Sequence, residues 1–223
     1  MGDQYYKNHI AEDGDGNEGS IIYDRDADPQ VGSRSNVPSH LNGSASSDVS
    51  IADENPEVNG KGMKIRKATG GEMLALWGCP DPAEAPPTAR FFCEKLSSGD
   101  AEFWTVDDGG ALIGELYVFF DLSDRDFADG EDTAYLCAFR VKEGFRGRGI
   151  GSRLMKTVLE SLKTRGFRGA TIGVEEAEEQ NVRLYRRLGF DREIKVCTAD
   201  PCEVDADMRP CACPPYRLLY KEL

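Results

Sequence analysis

Two short segments of this sequence combine residue types that could hold and transform a ligand. The first is the run Phe-Arg-Gly-Arg-Gly-Ile-Gly at residues 145–151, which lies between a β-rich run and a helical pattern. Glycines let the main chain approach a phosphate closely, and the N–H groups at the start of a helix attract anions. Arg146 and Arg148 add positive charge. The turn therefore fits a polyphosphorylated ligand, although a glycine-rich turn with solvated arginines is an equally simple interpretation.

The spacing of the glycines narrows the choice of ligand. The turn reads GxGxG, whereas dinucleotide-binding turns read GxGxxG and carry an acidic residue about 20 positions further on. The turn also lacks the Gly-Lys-Ser/Thr sequence of a P-loop. The sequence therefore argues against NAD and against ATP held by a P-loop.

The second segment is the run Asn-Val-Arg-Leu-Tyr-Arg-Arg-Leu-Gly-Phe at residues 181–190. Asn181 and Tyr185 are four positions apart, so they lie on one face of the predicted helix. A tyrosine hydroxyl can act as a general acid. The alternative is that Tyr185 is an aromatic residue of the core.

The first 61 residues differ in composition from the rest of the chain. They hold 12 of the 40 acidic residues but only 4 of the 27 basic ones, and they contain no Phe, Trp or Cys. This composition predicts a disordered acidic tail at residues 1–61 and one folded domain at residues 62–223. Both histidines, His9 and His40, lie in the tail. The domain therefore lacks the histidine of Ser-His-Asp and Cys-His hydrolases, HExxH metalloproteases and Cys/His zinc fingers.

The overall charge and hydropathy argue against two classes of partner. A net charge of −13 repels the phosphates of nucleic acids and anionic lipids. The longest apolar runs, such as residues 116–120, are far shorter than a membrane span, and no signal-peptide pattern follows the polar start. We therefore expect a cytoplasmic protein with no nucleic-acid partner and no membrane partner.

Hydrophobic periodicity predicts an α/β (α+β) domain with the element order β-α-α-β-β-β-α-β-α-β-β. The predicted strands lie at residues 63–68, 101–106, 111–120, 133–141, 170–174, 192–197 and 216–221. The predicted helices lie at residues 72–77, at a segment capped by Thr88, at 150–165 and at 177–188. An antiparallel hairpin is expected at Gly109-Gly110, where the sequence reads Asp-Asp-Gly-Gly.

Four of the seven cysteines lie close together near the end of the chain, at Cys197, Cys202, Cys211 and Cys213. Four thiolates could bind zinc, but this spacing lacks the paired CxxC units of such sites. An odd number of cysteines without a signal peptide favours reduced thiols. We therefore expect free thiols and no metal site.

The two segments together resemble a known family. Residues 146–151, the preceding strand that ends Phe139-Arg-Val141, and residues 181–190 closely resemble the motifs of GNAT superfamily N-acetyltransferases. The resemblance covers residues 63–223. It implies a mixed, mostly antiparallel sheet of six to seven strands flanked by helices, in which the strand at 133–141 separates from its parallel neighbour.

The resemblance also implies a donor and roles for individual residues. The donor is acetyl-CoA, whose pyrophosphate is held by the main chain of residues 146–151 and whose pantetheine pairs with the main chain of Phe139 and Val141. Tyr185 is the general acid that protonates the sulfur of CoA. The cofactor-binding residues are Phe139, Val141, Arg146, Gly147, Arg148, Gly149, Ile150, Gly151 and Asn181.

The sequence does not identify the general base or the acceptor amine. Glu115, Glu175, Glu176 or bulk water could take the proton of the amine, and each glutamate is also an ordinary surface carboxylate. The acidic segments at residues 121–132 and 203–207 could attract a cationic acceptor, although solvated loops explain them equally well.

Three functions follow from these observations. The first is acetyl transfer to the primary amine of a small molecule by direct attack on the thioester. The alternatives are acetylation of a protein N-terminus or lysine, and a non-catalytic acyl-CoA-binding module that regulates a partner. A homodimer is compatible with the resemblance.

Overall fold

A single twisted sheet forms the centre of the domain. The computed structural model describes Val49–Ser50 and residues 62–223. Its eight strands are β1 (Val49–Ser50), β2 (Lys64–Ala68), β3 (Ala101–Asp108), β4 (Ala111–Phe119), β5 (Thr133–Val141), β6 (Gly169–Glu175), β7 (Arg192–Val204) and β8 (Pro210–Glu222). They lie in the order β1-β2-β3-β4-β5-β6-β8-β7. Only β5 and β6 are parallel neighbours among these described strands.

Four α-helices flank the sheet in the described part of the chain. They are α1 (Gly70–Leu76), α2 (Pro87–Ser98), α3 (Ile150–Thr164) and α4 (Glu179–Arg187). In α3 the side chains of Leu154, Val158 and Leu162 recur at helical spacing and are all buried. This apolar stripe is what holds α3 against the sheet.

The sheet separates two apolar cores. One core lies on the face that carries Leu136 and Ile172, and it includes the buried side of α3. The other lies on the face that carries Tyr117 and Tyr135, and it includes Phe92 of α2. We call these faces the α3/α4 face and the α1/α2 face. Any ligand that passes between two strands would contact both.

A gap opens between β5 and β6. Their parallel pairing ends at Leu136 and Ile172, although the two strands continue to Val141 and Glu175. Each strand keeps its pairing with its other neighbour, β4 or β8, beyond that point. The two carboxyl-terminal ends therefore diverge, as the family resemblance leads one to expect. We call this opening the β5–β6 gap.

The structure confirms the predicted element order and the mixed, mostly antiparallel sheet. The β3–β4 hairpin turns at Gly109 and Gly110, whose positive φ angles of 65° and 103° suit a two-residue turn. Strand β1, which pairs with β2, was not predicted, because Val49–Ser50 lies inside the segment predicted to be a disordered tail. Apart from β1, the predicted tail lies outside the described residues. Within the described residues, no helix is both long enough and apolar enough to cross a bilayer.

Two predicted helix starts were wrong. Gly70 and Gly71 do not break the chain before α1 but form its first turn, because the side chain of Thr69 caps the helix. Helix α2 begins at Pro87 with Pro86 as its N-cap, so Thr88 lies inside the helix. Proline suits this position because the first N–H groups of a helix have no partner within it.

The largest correction concerns the cysteine-rich connector. It was expected to be a loop between strands at 192–197 and 216–221, but it continues both strands into one long hairpin. The register shifts between Asp200 and Val204, where the chain bulges. Sequence periodicity failed here because the prolines and cysteines interrupt the alternation expected of a strand. We call residues 198–215 the distal hairpin.

Candidate active site

The glycine turn ends at the start of α3, as predicted. Gly147 and Gly149 have φ angles of 74° and 75°, a conformation that favours glycine, and Gly149 is the N-cap. The first main-chain bond back into the helix is from Arg153 N–H to the carbonyl of Gly149, at 3.0 Å. The N–H groups before Arg153 therefore point out of the helix end, where the helix dipole is positive. This arrangement suits an anionic ligand.

Phe139 brings the two sequence motifs together. A Cβ atom at Gly151 would lie 2.8 Å from Cζ of Phe139 and 3.3 Å from Cγ2 of Val141, so glycine allows α3 to pack closely on β5. On its other side the ring of Phe139 approaches the ring of Tyr185, with centroids 6.4 Å apart. The start of α3 and the face of α4 that carries Tyr185 therefore meet at one strand.

Main-chain amide groups near the end of β5 face the β5–β6 gap. The N–H of Lys142 bonds to Ile113 of the neighbouring β4 at 2.9 Å. Because the hydrogen-bonding direction alternates along a strand, the amides of Phe139 and Val141 point away from β4, toward the β5–β6 gap. Between them and the paired part of β5, Ala138 has a φ of 48° and the register with β4 shifts. This bulge redirects the strand end.

The two arginines of the turn have different contacts. The Nε of Arg146 donates to the carbonyl of Val141 at 2.9 Å, which ties the turn back to β5. The guanidinium of Arg148 lies over the ring of Phe145 at 5.5 Å. Both side chains are exposed, as is Gly147, whereas Ile150 is buried in the core. The turn therefore exposes its main-chain groups and two positive charges to solvent, and the buried side chain of Ile150 fixes it to the core.

Tyr185 is buried in the α3/α4 face beside the gap. Its side chain is 5% exposed and packs between the rings of Phe139 and Phe190. Its hydroxyl makes no hydrogen bond within the part of the chain that the structure describes. Burial, with a smaller effect of the negative charge of Glu178, raises the pKa of Tyr185 above its ordinary value. Asn181 is half-buried one turn earlier in α4.

The three candidate bases have different surroundings. Glu115 accepts hydrogen bonds from Trp77 and Tyr117, each at 3.2 Å, and pairs with Arg140 at 2.8 Å. Both of its oxygens are therefore engaged on the α1/α2 face. Glu176 is exposed and pairs with Arg217. Glu175 is half-buried at the gap end of β6, where burial and then the charge of Glu178 raise its pKa. Of the three, Glu175 is the freest to accept a proton.

Much of the acidic charge at residues 121–132 is compensated within the domain. The Nζ of Lys195 binds Asp124 at 2.6 Å and Asp126 at 2.8 Å. The carboxylate of Asp129 accepts main-chain N–H groups of its own loop. This segment folds its own turn and is a poor candidate for attracting an acceptor. In residues 203–207, Asp205 likewise caps the turn of the hairpin.

The distal hairpin lies over the α1/α2 face. The hydroxyl of Thr88 in α2 donates to the carbonyl of Val204 at 3.3 Å and accepts the N–H of the same residue at 3.1 Å. Cys202 is 4% exposed and its thiol interacts with that of Cys137 on β5. All seven cysteines are free thiols in the structure. The hairpin therefore covers the side of the gap opposite Tyr185.

The sequence did not single out two further residues, one in this hairpin and one on β5. Asp200 begins the bulge, and its carboxylate accepts the N–H of Cys202 at 2.8 Å. Tyr135 is 3% exposed on β5, near the point where β5 and β6 part. The dipeptide Asp200-Pro201 was the available signal, because Asp before Pro favours a turn. No group of metal-ligating side chains is assembled among the described residues.

Comparison with known proteins identifies a family whose sequence profile this chain matches. Residues 72–190, more than half of the chain, match the sequence profile of the acetyltransferase (GNAT) family. N-acetyltransferase 8 of Rattus norvegicus is 27% identical over 97 residues, which cover 44% of this chain and 42% of the relative. The uncharacterized N-acetyltransferase MJ1207 of Methanocaldococcus jannaschii is 28% identical over 106 residues, 47% of this chain and 46% of the relative. The chain thus matches less than half the length of these relatives.

Solved structures share the fold. The ribosomal-protein-S18-alanine N-acetyltransferase of Escherichia coli superimposes with a TM-score of 0.53 at 15% identity, covering 72% of this chain and 93% of that one. NAA60 of Arabidopsis thaliana, solved in complex with acetyl-CoA, gives 0.51 at 19% identity over 72% of this chain and 98% of its own. From the profile match and the shared fold, this chain is a member of the GNAT family of acetyltransferases.

Proposed function

We propose that this protein transfers the acetyl group of acetyl-CoA to a primary amine of a small molecule. The observation that carries the proposal is the β5–β6 gap, which opens directly beside the glycine turn. An extended thiol-ended ligand with a pyrophosphate can enter this gap with its phosphates at the start of α3. Tyr185 then borders the gap on one face, and the distal hairpin covers the other.

The chain offers three kinds of contact to this donor. The N–H groups at residues 147–151 and the nearby arginines would hold the pyrophosphate. The outward-pointing amides of Phe139 and Val141 would pair with the pantetheine as an added strand does. Asn181, on the same helix as Tyr185, would contact the cofactor from the other side of the gap. The donor supplies an activated acetyl thioester.

Transfer requires a neutral amine, a polarised carbonyl and a proton for the departing sulfur. The amine nitrogen forms a C–N bond to the acetyl carbon, the C–S bond breaks, and the amine loses a proton. Tyr185 gives its hydroxyl proton to the thiolate of CoA and regains one from solvent. Tyr185 is protonated at neutral pH, because the ordinary pKa of a tyrosine is about 10 and burial raises the pKa of this one further. Glu175 is the best placed carboxylate to accept the amine proton, directly or through water.

The distal hairpin supports a small acceptor over a protein. Its two hydrogen bonds to Thr88 and the buried Cys202 hold it against the α1/α2 face. An acceptor must therefore reach the gap beneath a packed hairpin, which suits a compact amine better than an extended peptide.

The test is release of CoA from acetyl-CoA by the full chain with a panel of polyamines, aminoglycosides, amino acids and peptides. We expect amine-stimulated release with one or more small amines and none with peptides. Turnover on peptides alone would favour a protein acetyltransferase. Tight acetyl-CoA binding without turnover on any amine would favour a regulatory module.

A further inference from the structure

Strand β5 bulges just before the amides that face the β5–β6 gap. Two of its residues, Ala138 and Phe139, lie opposite the single residue Leu116 of β4. Ala138 has a φ of 48°, in the left-handed region that glycine normally supplies in a bulge of this kind. A residue other than glycine is strained there, so the surrounding structure must hold it. Any relaxation of the bulge would turn the amides of Phe139 and Val141 away from the gap.

Side chains from three elements form a network on the α1/α2 face of this bulge. Oε2 of Glu115 accepts hydrogen bonds from Nε1 of Trp77 and from the hydroxyl of Tyr117, each at 3.2 Å. Oε1 of Glu115 lies 2.8 Å from Nε of Arg140. One carboxylate therefore links the C-cap of α1 to β4 and β5. We call these four residues the bulge network.

The bulge network contacts the strand positions on both sides of the bulge. Tyr117 pairs across the strands with Cys137, immediately before the bulge, and Glu115 pairs with Arg140, immediately after it. Because Glu115 contacts both Tyr117 and Arg140, it joins these two positions through side chains as well as through the main chain. The side chain of Glu115 is only 13% exposed, so water competes little with these contacts.

Aromatic rings fix the bulge network to the domain. The ring of Trp77 packs on those of Phe92 and Tyr117, with centroids 5.0 Å and 5.7 Å away. The guanidinium of Arg140 lies 5.9 Å from the centroid of the Trp77 ring. On the opposite face of the sheet, Phe139 packs closely on the start of α3. The bulge is therefore held from both faces, and on the α1/α2 face the contact depends on the charge of one carboxylate.

We propose that Glu115 is a positioning residue for the donor and not the base that takes the proton of the amine. Through Arg140 and Tyr117 it holds the bulge in the form that directs the amides of Phe139 and Val141 at the pantetheine arm. Both of its oxygens already have partners within the domain, which leaves it poorly placed to accept a further proton. This inference rests on the proposed function, which supplies the identity of the donor.

The experiment measures by calorimetry how the full chain binds CoA and its nucleotide half, 3′-phosphoadenosine 5′-diphosphate, which lacks the pantetheine arm. The nucleotide tests the glycine turn, whereas CoA tests both the turn and the amides of β5. The variant is Glu115→Gln, which keeps one oxygen to accept hydrogen bonds and removes the charge that pairs with Arg140. The kcat and the amine KM are measured on the same preparations.

Glu102→Gln is the matched control. The side chain of Glu102 on β3 is 15% exposed, accepts Nε1 of Trp104 at 2.9 Å and pairs with Arg165 at 3.0 Å. This substitution therefore disturbs the same kind of buried network at a strand that has no contact with the β5 bulge in the sheet order. It should lower Tm and leave the affinities for CoA and for the nucleotide unchanged.

In Glu115→Gln we expect the dissociation constant of CoA to rise about tenfold, because a charge-assisted contact is lost, and that of the nucleotide to change by less than about twofold. The amine KM at saturating acetyl-CoA should stay unchanged. Adding Ala138→Gly to the same chain should restore most of the CoA affinity. Glycine adopts the left-handed conformation without strain, so the bulge then depends less on the bulge network.

A large loss of kcat in Glu115→Gln with unchanged CoA affinity would make Glu115 the base and overturn the proposal. Equal weakening of CoA and the nucleotide, or no recovery with Ala138→Gly, would also overturn it, because the effect would then not act through the bulge. Failure of the proposed function is a separate result. If wild type binds CoA but acetylates no amine, the two dissociation constants still decide whether Glu115 positions the bound CoA.

Discussion

At the scale of single residues, the hydroxyl of Tyr185 should matter more for turnover than for binding. In Tyr185→Phe the ring still packs on Phe139 and Phe190, but no proton is available for the departing thiolate. We expect kcat to fall by about 10². The dissociation constant of acetyl-CoA, measured by calorimetry, should change by less than about twofold.

Tyr220→Phe is the matched control for this variant. The hydroxyl of Tyr220 bonds to the carbonyl of Arg168 at 3.4 Å, at the end of β6 remote from the gap. It should leave kcat unchanged. A Tyr185→Phe enzyme with wild-type kcat would assign the proton to water and leave Tyr185 as a residue of the core.

A second prediction at this scale concerns the closest approach of α3 to β5. Gly151→Ala would place a methyl group 2.8 Å from Phe139, so the helix start must move away from the strand. We expect weaker acetyl-CoA binding and a loss of about 1 to 3 kcal/mol in the free energy of unfolding. Gly144→Ala is the control, because nothing lies within 4 Å of a Cβ there. Equal effects of the two substitutions would contradict a specific role for Gly151.

At the scale of elements, α1 depends on its first turn. The N–H of Glu72 bonds to the Thr69 side chain at 3.2 Å, and the Glu72 carboxylate accepts the N–H of Thr69 at 2.8 Å. The same carboxylate pairs with Arg66 of β2 at 2.7 Å. This pairing is the main reason that the pKa of Glu72 is lowered from its ordinary 4.5. The interaction therefore ties α1 to the sheet.

Because the pKa of Glu72 is lowered, the stability that this carboxylate contributes should decrease as the pH falls. Because the carboxylate is favoured in the folded state, its contribution is complete above pH 4.5 and is lost as the pH falls through the lowered pKa. Urea unfolding should show wild type more stable than Glu72→Gln by about 1 kcal/mol at pH 7, with the difference vanishing in acid. Thr69→Ala removes the cap but keeps the ion pair, so it should lower stability at both pH values. A pH-independent difference for Glu72→Gln would contradict the ion-pair explanation.

At the scale of the whole domain, the distal hairpin and α2 are far apart in sequence and meet over the α1/α2 face, on the side where we propose that the amine enters. Thr88 makes both hydrogen bonds of this contact, to the N–H and the carbonyl of Val204. Thr88→Val keeps the shape and removes them. We expect a loss of about 1 to 2 kcal/mol of stability and a higher KM for the amine, with acetyl-CoA affinity unchanged.

Thr164→Val is the control for Thr88→Val. Thr164 bonds only within its own helix, to the carbonyl of Glu160 at 2.8 Å, and it lies at the other end of α3 from the glycine turn. Its substitution should not alter the amine KM. If Thr88→Val also leaves that KM unchanged, the hairpin does not border the acceptor site.

Several parts of the fold followed from local sequence signals. The Gly109-Gly110 turn, the apolar stripe of α3 and the β-rich run at Thr133–Val141 each depend on residues close together in the chain, so periodicity and turn chemistry were sufficient. The ends of elements were harder to predict. Thr88 has the side chain of a helix cap, but its hydroxyl bonds instead to Val204, a partner 116 positions away.

The sequence by itself determined the family and the order of the elements, and it predicted the residues that we propose for the donor side. This was sufficient because the glycine turn is continuous in the chain and the Asn181–Tyr185 pair lies on one helix turn. The packing of the distal hairpin over the α1/α2 face was decided only by the tertiary structure. Thr88 of α2 bonds to Val204 of the distal hairpin there, and no local pattern encodes a contact between residues that far apart.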